Sequence, residues 1–465
     1  MNIRQGFRIA WLLALAVCAQ LATAAELALS HATLDRLSAL PRGEALTIDA
    51  FPAGPTHTAS IRFERVQIYS DNAHLYLMTA TGRHEVPRST RIFLRGYSDD
   101  GSARVAMSLN PDASFAEGNG TGPEGSFVLR ASVDARGANR LIALSLESTL
   151  PAGFKFNFRC GNENENMDVH ALDDFAKRLG IANGAGPVST AATTSHALRL
   201  ATVAVDTDSL FMSKLFNNSQ PAATNWIASM FNVMNTMYER DLLVRLYQGT
   251  TILCANGCTD PYSSFTPGAT TTELSFFANY WKINHTSVSR AFAILLSGQE
   301  SSSASSCSAS GIGWIDQYCQ KGSTQGSDTV GSYSVNQVCT SISIDPDGTF
   351  DARLVGHEIG HNFGAWHTHC TNTTTGAAPV ATNTIDTCFN LEGNLGCYTG
   401  TASCPVGGSG TIMSYCNFTN VSGCATGTQN LLLFHPTQVT VLDTLISGQA
   451  ACLNETADIF YNGFE

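Results

Sequence analysis

The segment with the clearest chemistry begins at His357 and reads HEIGHNFGAWH. Histidines four residues apart on a helix share one face and lie about 6 Å apart along its axis, so His357 and His361 can hold one metal ion. On a continued helix, His367 would face away from that ion. Gly364 can adopt a positive φ and end the helix, which lets the chain turn back. The spacing therefore predicts a metal site built from His357, His361 and His367.

Three neutral imidazoles favour Zn²⁺, which takes four ligands in a tetrahedron and would keep one position open for water. Zinc lowers the pKa of such a water from about 15.7 towards about 7. Glu358 directly follows the first histidine and can accept the proton of that water while it attacks a carbonyl carbon. The protonated Glu358 can then supply the proton to the leaving amine. These residues predict peptide-bond hydrolysis with one catalytic zinc ion, Glu358 as general base and no covalent intermediate.

A methionine-containing segment, TIMSYC at residues 411–416, lies downstream of the histidines. The two motifs together resemble the signature of the metzincin zinc metalloproteases, HExxHxxGxxH followed by a Met-turn. HEIGHNFGAWH and the upstream GIGWI at residues 311–315 are most similar to the reprolysin/adamalysin branch. The resemblance implies an α/β (α+β) catalytic domain with a mixed, mostly parallel sheet and a zinc-binding helix. It also implies that Met413 forms a hydrophobic base beneath the zinc histidines without binding the metal.

The sequence departs from the reprolysin/adamalysin pattern at two positions. Thr368 follows the third histidine, where members of that branch usually have an aspartate. Tyr415 lies two residues after Met413 and is similar to the tyrosine of the astacin and serralysin branches. In those branches the tyrosine can bind zinc and move to stabilise the oxyanion, so Tyr415 is a candidate for that role. The alternative is that Tyr415 is a packed residue of the turn.

The 14 cysteines of the chain are distributed unevenly. Cys18 lies in the N-terminal leader, Cys160 is alone in the rest of the first half, and the other twelve follow residue 250. A dense, even set in an exported chain predicts disulfides. Cys160 lies in Phe-Arg-Cys-Gly, which resembles the cysteine switch of metzincin prosegments, and its thiolate could occupy the open zinc position. A disulfide to another molecule and a buried free thiol are the alternatives.

The N-terminus has the layout of a secretory signal peptide. Arg4 and Arg8 precede a short apolar run, and small residues at 22–24 offer a cleavage site. The run is too short to cross a membrane comfortably, and no later segment approaches the required length. We therefore predict a secreted protein with no transmembrane segment.

Patterns along the chain predict a β-rich half followed by an α/β half. Residues 61–68 and 74–78 alternate in hydrophobicity as strands do. Beyond a Gly/Ala/Ser/Thr-rich linker at 182–195, a strand at 198–205 and a helix at 225–240 follow. The first half carries no comparable chemistry, and its length fits an inhibitor and intramolecular chaperone of a zymogen. We expect four segments: a signal peptide (1–24), a β-rich propeptide with linker (25–195), a catalytic domain (196–453) and a C-terminal tail (454–465).

Composition limits the partners of the protein. The net charge is −12, only 14% of residues are charged, and no basic patch is present, which excludes nucleic acid. We expect a polypeptide substrate that is bound as an added strand along an edge of the catalytic sheet. The sequence gives no basis for an oligomeric state.

Two alternatives are weaker. A secreted binding or adhesion protein could use a catalytically silent metzincin fold, but Glu358 and all three histidines are present. Calcium could bind Asp345, Asp347 and Asp351, but a turn and the start of the zinc helix account for these carboxylates. Calcium therefore has no support from the sequence.

Overall fold

The computed structural model describes most of the chain. The described residues are 25–28, 30–133, 139–145, 147–149, 155–161, 198–300, 302–303, 306–338, 349–403, 410–417, 432–448 and 452–455. The predicted signal peptide, the predicted linker, Asp345 and Asp347, and residues 456–465 of the tail lie outside the described residues.

The described chain contains the following helices and strands. The helices are α1 (His31–Ser38), α2 (Gln220–Leu242), α3 (Thr271–Asn284), α4 (Thr349–Phe363) and α5 (Pro436–Gly448). The strands of the first half are β1 (Glu26–Ala28), β2 (Ala45–Pro52), β3 (Thr58–Arg65), β4 (Leu75–Thr79), β5 (Gly82–Val86), β6 (Ile92–Ser98), β7 (Arg104–Leu109), β8 (Phe115–Gly122), β9 (Gly125–Val133), β10 (Asn139–Ser145) and β11 (Lys155–Cys160). The strands of the second half are β12 (Arg199–Thr207), β13 (Val244–Cys254), β14 (Phe292–Ser297), β15 (Ser302–Ser303), β16 (Ser306–Gly313), β17 (Ser323–Gln325), β18 (Asp328–Val330), β19 (Tyr333–Gln337) and β20 (Asn454–Glu455).

Most of the first half forms an antiparallel sheet of eight strands, in the order β1-β10-β9-β8-β7-β6-β3-β2. Alternation along the strands gives this sheet one apolar face, as on β3, where Ile61 and Phe63 are buried between less buried neighbours. Ile61 and Phe63 join Val105 and Leu129 in an apolar cluster that is separate from the core of the second half. The first sheet therefore has a hydrophobic core of its own.

The second sheet is mixed and mostly parallel, in the order β11-β16-β19-β14-β12-β13-β4-β5. Strands β19, β14, β12 and β13 run parallel, whereas β16 is antiparallel to β19. The structure therefore has the mixed sheet that the resemblance implies. Every residue of the central strand β14 is buried, because helices cover both of its faces.

Two helices cover one face of the second sheet and a third covers the other. On β14, Phe292 and Ile294 point into the core shared by α2 and α4, whereas Leu295 points into the cluster of α3. Helices α2 and α4 also contact each other. This two-sided packing fixes α4, which carries the histidines, against the sheet.

The first half contributes strands to both edges of the second sheet. At one edge β4 pairs in parallel with β13, and β5 extends that edge further. At the other edge β11 pairs in parallel with β16. The sequence does not predict this sharing, because an alternating strand pattern does not identify the pairing partner. The two halves are therefore joined along two sheet edges as well as by the chain.

Disulfides link distant parts of the second half. The described bonds are Cys254–Cys258, Cys319–Cys452, Cys370–Cys397 and Cys388–Cys416. Cys160, in contrast, is a buried thiol. No helix in the described part of the chain is long and apolar enough to cross a membrane.

Candidate active site

The first two histidines of the motif lie on α4, which is buried along its whole length. The helix ends directly before Gly364, whose φ is 109°. Here the amide of Ala365 donates a hydrogen bond to the carbonyl of Gly360, at 2.9 Å. A side chain at this position would also be blocked, because its Cβ would lie 2.5 Å from Cδ1 of Leu445. Gly364 thus ends the helix and turns the chain towards His367, in the way that the motif spacing requires.

Three buried imidazoles converge at this point. The Nε2 atom of His357 lies 3.1 Å from that of His361, and the Nε2 atom of His367 lies 3.2 Å from both. The sulfur of Cys160 lies 3.6 Å from Nε2 of His361. The four atoms all lie within 4.8 Å of one another. The fold therefore brings a thiol of the first half onto the three histidines of the second.

Each imidazole is oriented by a partner at its other nitrogen. Nδ1 of His357 donates to the carbonyl of Ile412 at 2.8 Å, and Nδ1 of His361 donates to the carbonyl of Ala365 at 2.7 Å. Nδ1 of His367 has a carboxylate as its partner. A neutral imidazole with its proton on Nδ1 carries a lone pair on Nε2. Three lone pairs that point at one another cannot hydrogen bond together, so the arrangement fits a cation.

The spacing of the four atoms fits a tetrahedral zinc ion. Bonds of about 2.0–2.1 Å to nitrogen and about 2.3 Å to sulfur would separate two nitrogens by about 3.3 Å and a nitrogen from a sulfur by about 3.6 Å. The nitrogens lie 3.1–3.2 Å apart, and the sulfur of Cys160 lies 3.6 Å from the Nε2 atom of His361. Three imidazoles and one thiol are also a donor set that zinc prefers.

The two helical histidines are held neutral. Burial, and secondly the neighbouring His367, lower the pKa of His357 to about 3. Burial likewise lowers the pKa of His361 well below its ordinary value, with His357 as the second cause. Both imidazoles are therefore unprotonated at physiological pH, and this is the form that binds a metal ion.

Glu358 is buried beside the histidines and lies against strand β16, next to the edge strand β11. The approach is closest at Gly311, where a Cβ would lie 2.3 Å from Oε1 of Glu358. Gly311 is also the register partner of Cys160 in the pairing of β11 with β16. The carboxylate therefore lies at the point of the sheet edge where the thiol faces the histidines.

Met413 packs beneath the zinc-facing part of α4. It is fully buried, and a Cβ on Gly360, between the two helical histidines, would lie 2.7 Å from the Met413 sulfur. The turn itself is fixed by a hydrogen bond of 2.7 Å from the Ser414 hydroxyl to the carboxylate of Asp386. This placement agrees with the hydrophobic base that the resemblance implies for Met413.

Tyr415 and strand β11 cover the histidines. The Tyr415 ring packs against His367 and Phe158, with ring centroids 5.0 and 5.7 Å apart, and its hydroxyl accepts a hydrogen bond of 3.3 Å from the amide of Cys160. Phe158 also packs against His357, at 5.2 Å between centroids. Residues two apart on a strand point to the same side. Strand β11 thus places both an aromatic ring and a thiol over the site.

Glu392 belongs to the site and is not revealed by the sequence patterns. Its carboxylate is fully buried and bridges two imidazoles, at 2.7 Å from Nδ1 of His367 and 2.9 Å from Nε2 of His369. Burial raises the pKa of Glu392, but the two imidazoles outweigh it and hold the pKa below its ordinary value. The ionised carboxylate orients the third histidine, as a carboxylate partner does in many metal sites.

Two disulfides hold the loop that carries Glu392 next to the histidines. Cys388 and Cys397 flank Glu392 and are bonded to Cys416 of the Met-turn and to Cys370 near the third histidine. Glu392 lies 25 residues from His367 in the chain, and no helix or strand spacing connects the two, so the local patterns do not identify it. The two flanking cysteines are the one signal that the sequence offers.

The structure brings the predicted site residues together. They are Cys160, His357, Glu358, His361, His367, Met413 and Tyr415. Of the three aspartates considered for calcium, only Asp351 is described, and it lies buried in the first turn of α4. The cysteine pair at 254 and 258 forms the disulfide that the compartment predicts.

Comparison with known proteins finds a family to which the second half is similar. Residues 197–423 match the family model Reprolysin_5, described as metallopeptidase family M12. A search of curated protein sequences finds no match. Among solved structures, the chain is similar to metalloproteinase-II from Bacteroides fragilis, with 11% identity, coverage of 71% of this chain and 84% of that chain, and a TM-score of 0.30. A structural likeness at this level carries no argument about function.

The family match confirms the resemblance that the histidine motif and the Met-turn indicate. Residues 197–423 are similar to metallopeptidase family M12, of the reprolysin type. The match begins just before β12 and includes α4 and the Met-turn.

Proposed function

We propose that the protein is a secreted, zinc-dependent metalloendopeptidase that is made as a zymogen. The observation that carries the proposal is the convergence of three Nε2 atoms, 3.1–3.2 Å apart, on imidazoles whose Nδ1 atoms are already engaged. His357, His361 and His367 would hold the ion, with Glu358 beside them. The family match over residues 197–423 supports the same reaction class.

The residues around the histidines have distinct roles in this proposal. A bound zinc ion supplies Lewis acidity, which lowers the pKa of water and polarises the scissile carbonyl. Glu358 accepts the proton of the attacking water and passes it to the leaving amine. The hydroxyl of Tyr415 reaches the same sheet edge and donates a hydrogen bond to the developing oxyanion. Met413 supports the histidines from below by packing.

The zymogen part of the proposal rests on β11. This strand occupies the edge of β16 along which an extended substrate would add a strand. Cys160 offers the fourth ligand atom, and Phe158 covers His357. Substrate cannot use the edge while β11 is paired there. Cleavage between the halves and departure of β11 would therefore activate the enzyme.

Secretion is proposed from the layout of residues 1–24 and is supported by the disulfides of the second half. Such bonds persist in oxidising compartments outside the cytosol. Cleavage at the predicted signal site can be checked from the N-terminal sequence of the exported chain.

The test is cleavage of an unfolded protein, casein, by the processed chain. We expect activity that is lost with a chelator, recovered when zinc is restored and absent in Glu358→Gln. Activity that survives in Glu358→Gln would remove the assignment of the general base. A processed, zinc-loaded chain that cleaves neither casein nor other unfolded proteins would contradict the proposed function.

A further inference from the structure

Helix α2 carries a stripe of polar side chains. The members are Asn225, Ser229, Asn232, Thr236 and Glu239, at alternating spacings of four and three residues, which places them on one helix face. The side chains of Ser229, Asn232 and Glu239 are nevertheless almost fully buried, with 3%, 2% and 1% of their surface exposed. They are buried because the antiparallel sheet of the first half covers this face. The stripe is therefore a contact surface between the two halves.

Asn232 binds the backbone of the first sheet. Its Nδ2 atom donates to the carbonyls of Leu94 on β6 and Met107 on β7, both at 3.3 Å. Its Oδ1 atom accepts a hydrogen bond of 3.3 Å from Nη2 of Arg95. One side chain of α2 thus spans two neighbouring strands of the other half.

A buried carboxylate joins the halves by charge. Glu239 forms an ion pair with Arg95 of β6 and accepts a hydrogen bond of 2.5 Å from Nε of Arg245 on β13. One arginine therefore comes from each half. Nearly three turns of helix earlier, Ser229 contacts both Arg91 and Glu117 of the first half.

The first sheet faces α2 with its polar side and keeps its apolar side for its own core. On β6, Leu94 points into the separate cluster of the first sheet, whereas Arg95 points towards α2. Some apolar contact crosses the joint, because Phe93 and Val128 pack with the core of the second half. The joint as a whole is held together by charge and hydrogen bonds around a small apolar centre.

A polar interface of this kind is typical of domains that can separate. Interfaces that stay closed are usually as apolar as a domain core, whereas those of separable units are more polar. If the first sheet left, Glu239 would still be paired with Arg245, and Ser229 and Asn232 would gain water as partners. The stripe can therefore face solvent in the separated second half without leaving an uncompensated buried charge.

We propose that the stripe on α2 is a second docking surface, distinct from the active-site strand, and that its occupant is the chain's own first half. After cleavage between the halves, the first half stays bound to this surface as a non-covalent partner, and the contact of Arg95 with Glu239 and Asn232 controls its release. The inference rests on the proposed function in one respect, because cleavage between the halves is taken as the activating step.

The test uses the full chain with a site-specific protease sequence inserted between residues 182 and 195. Glu358→Gln removes self-cleavage, and a chelator ensures that no metal–thiol bond holds the halves. After nicking, gel filtration over a dilution series measures the dissociation constant of the halves. We expect co-elution of the nicked parent and binding that is about a hundredfold or more weaker in Arg95→Met, since this change removes both the ion pair with Glu239 and the hydrogen bond to Asn232 that cross the joint.

Arg62→Met is the matched control, because Arg62 lies on the same sheet in a partly exposed pair with Glu64 at 3.7 Å. It should leave the dissociation constant within about threefold of the parent. If Arg95→Met does not fold, Asn232→Ala removes hydrogen bonds at the same joint and should weaken binding about tenfold. Separation of the parent on nicking, or unchanged binding in the folded Arg95 or Asn232 variant, would overturn the proposal. Gel filtration measures the binding of the two halves and requires neither zinc nor proteolytic activity. Its result therefore tests the docking surface even if the proposed protease function is wrong.

Discussion

Each imidazole of the site has a different hydrogen-bond acceptor, and only the third uses a side chain. His357 and His361 donate to backbone carbonyls, whose positions follow from the Met-turn and from the end of α4. His367 lies beyond the helix and depends on the carboxylate of Glu392. A carboxylate partner fixes the ring orientation and increases the basicity of a metal-binding imidazole. Glu392 therefore acts on the metal site through His367.

Replacement of Glu392 by glutamine should weaken zinc binding about 10–100-fold, the usual effect of removing such a partner. The glutamine can still form hydrogen bonds but carries no negative charge. Competition with a chromophoric chelator measures the affinity. Glu85→Gln, which changes an exposed carboxylate on β5, is the matched control and should match the parent. An affinity of Glu392→Gln equal to that of the control would show that the carboxylate does not orient His367.

Gly311 tests the position of Glu358. An alanine there would place a Cβ 2.3 Å from the carboxylate oxygen, so the carboxylate must move. We expect Gly311→Ala to lower kcat about 100-fold, because a displacement of about 1 Å in a catalytic group has effects of that size. Zinc content should be unchanged, since the three atoms nearest to the added Cβ all belong to Glu358. Full activity in this variant would mean that Glu358 is not held against β16 during the reaction.

At the scale of elements, the first half contacts the second through β4 on β13, through β11 on β16 and through the first sheet on α2. Strand β11 covers the histidines and occupies the edge of β16. Helix α2 contacts the first sheet through Asn232 and Glu239, away from that edge. A strand that leaves an active site must break its backbone hydrogen bonds together, whereas polar side chains on a helix can exchange their partners for water. The two contacts should therefore respond differently to solution conditions.

The docking of the two halves should weaken in acid. Burial raises the pKa of Glu239, but Arg245 of β13 and Arg95 of β6 outweigh it and hold the pKa at about 2, below the ordinary value of 4.5. Because Arg245 belongs to the same half as Glu239 and stays paired with it after separation, only the share of the lowering that comes from Arg95 stabilises the docked form. This share is lost as the pH falls below 4.5 towards 2. Gel filtration of the nicked chain at several pH values should show dissociation in that window. Glu239→Gln should remove the pH dependence, and a Glu239→Gln profile identical to that of the parent would contradict this assignment.

At the scale of the whole molecule, disulfides fix the second half around the site. Cys319–Cys452 spans 133 residues and attaches the C-terminal segment beside the sheet, where β20 pairs with β12. Cys254–Cys258 spans only four residues. A longer closed loop restricts the unfolded chain more and so stabilises the fold more.

Removal of the long bond should therefore cost more than removal of the short one. The chain-entropy relation gives about 5 kcal/mol for Cys319→Ser with Cys452→Ser and about 2 kcal/mol for Cys254→Ser with Cys258→Ser. Urea unfolding of the two double variants measures the difference in the free energy of unfolding. Equal losses would mean that native-state contacts, and not the unfolded chain, determine the contribution of these bonds.

The sequence predicts the local parts of this molecule better than the distant ones. The positions of His357 and His361 follow from helix geometry, and Gly364 marks the end of α4, so the metal site can be predicted from eleven residues. The position of Glu392 cannot be predicted in this way, because a loop and its disulfides, rather than a spacing rule, bring it to His367. The pairing of β4 with β13 cannot be predicted either, since alternation along a strand shows which face is buried but not which strand lies beside it.

We propose that Cys160 and the three histidines form one zinc site in the intact chain. Zinc-edge X-ray absorption of the zinc-loaded full chain tests it most directly, because sulfur and nitrogen ligands differ in bond length by about 0.2–0.3 Å. We expect a shell of three nitrogens and one sulfur in the parent, and loss of the sulfur in Cys160→Ser with the nitrogens retained. A shell without sulfur in the parent, or a sulfur signal that persists in Cys160→Ser, would contradict the claim.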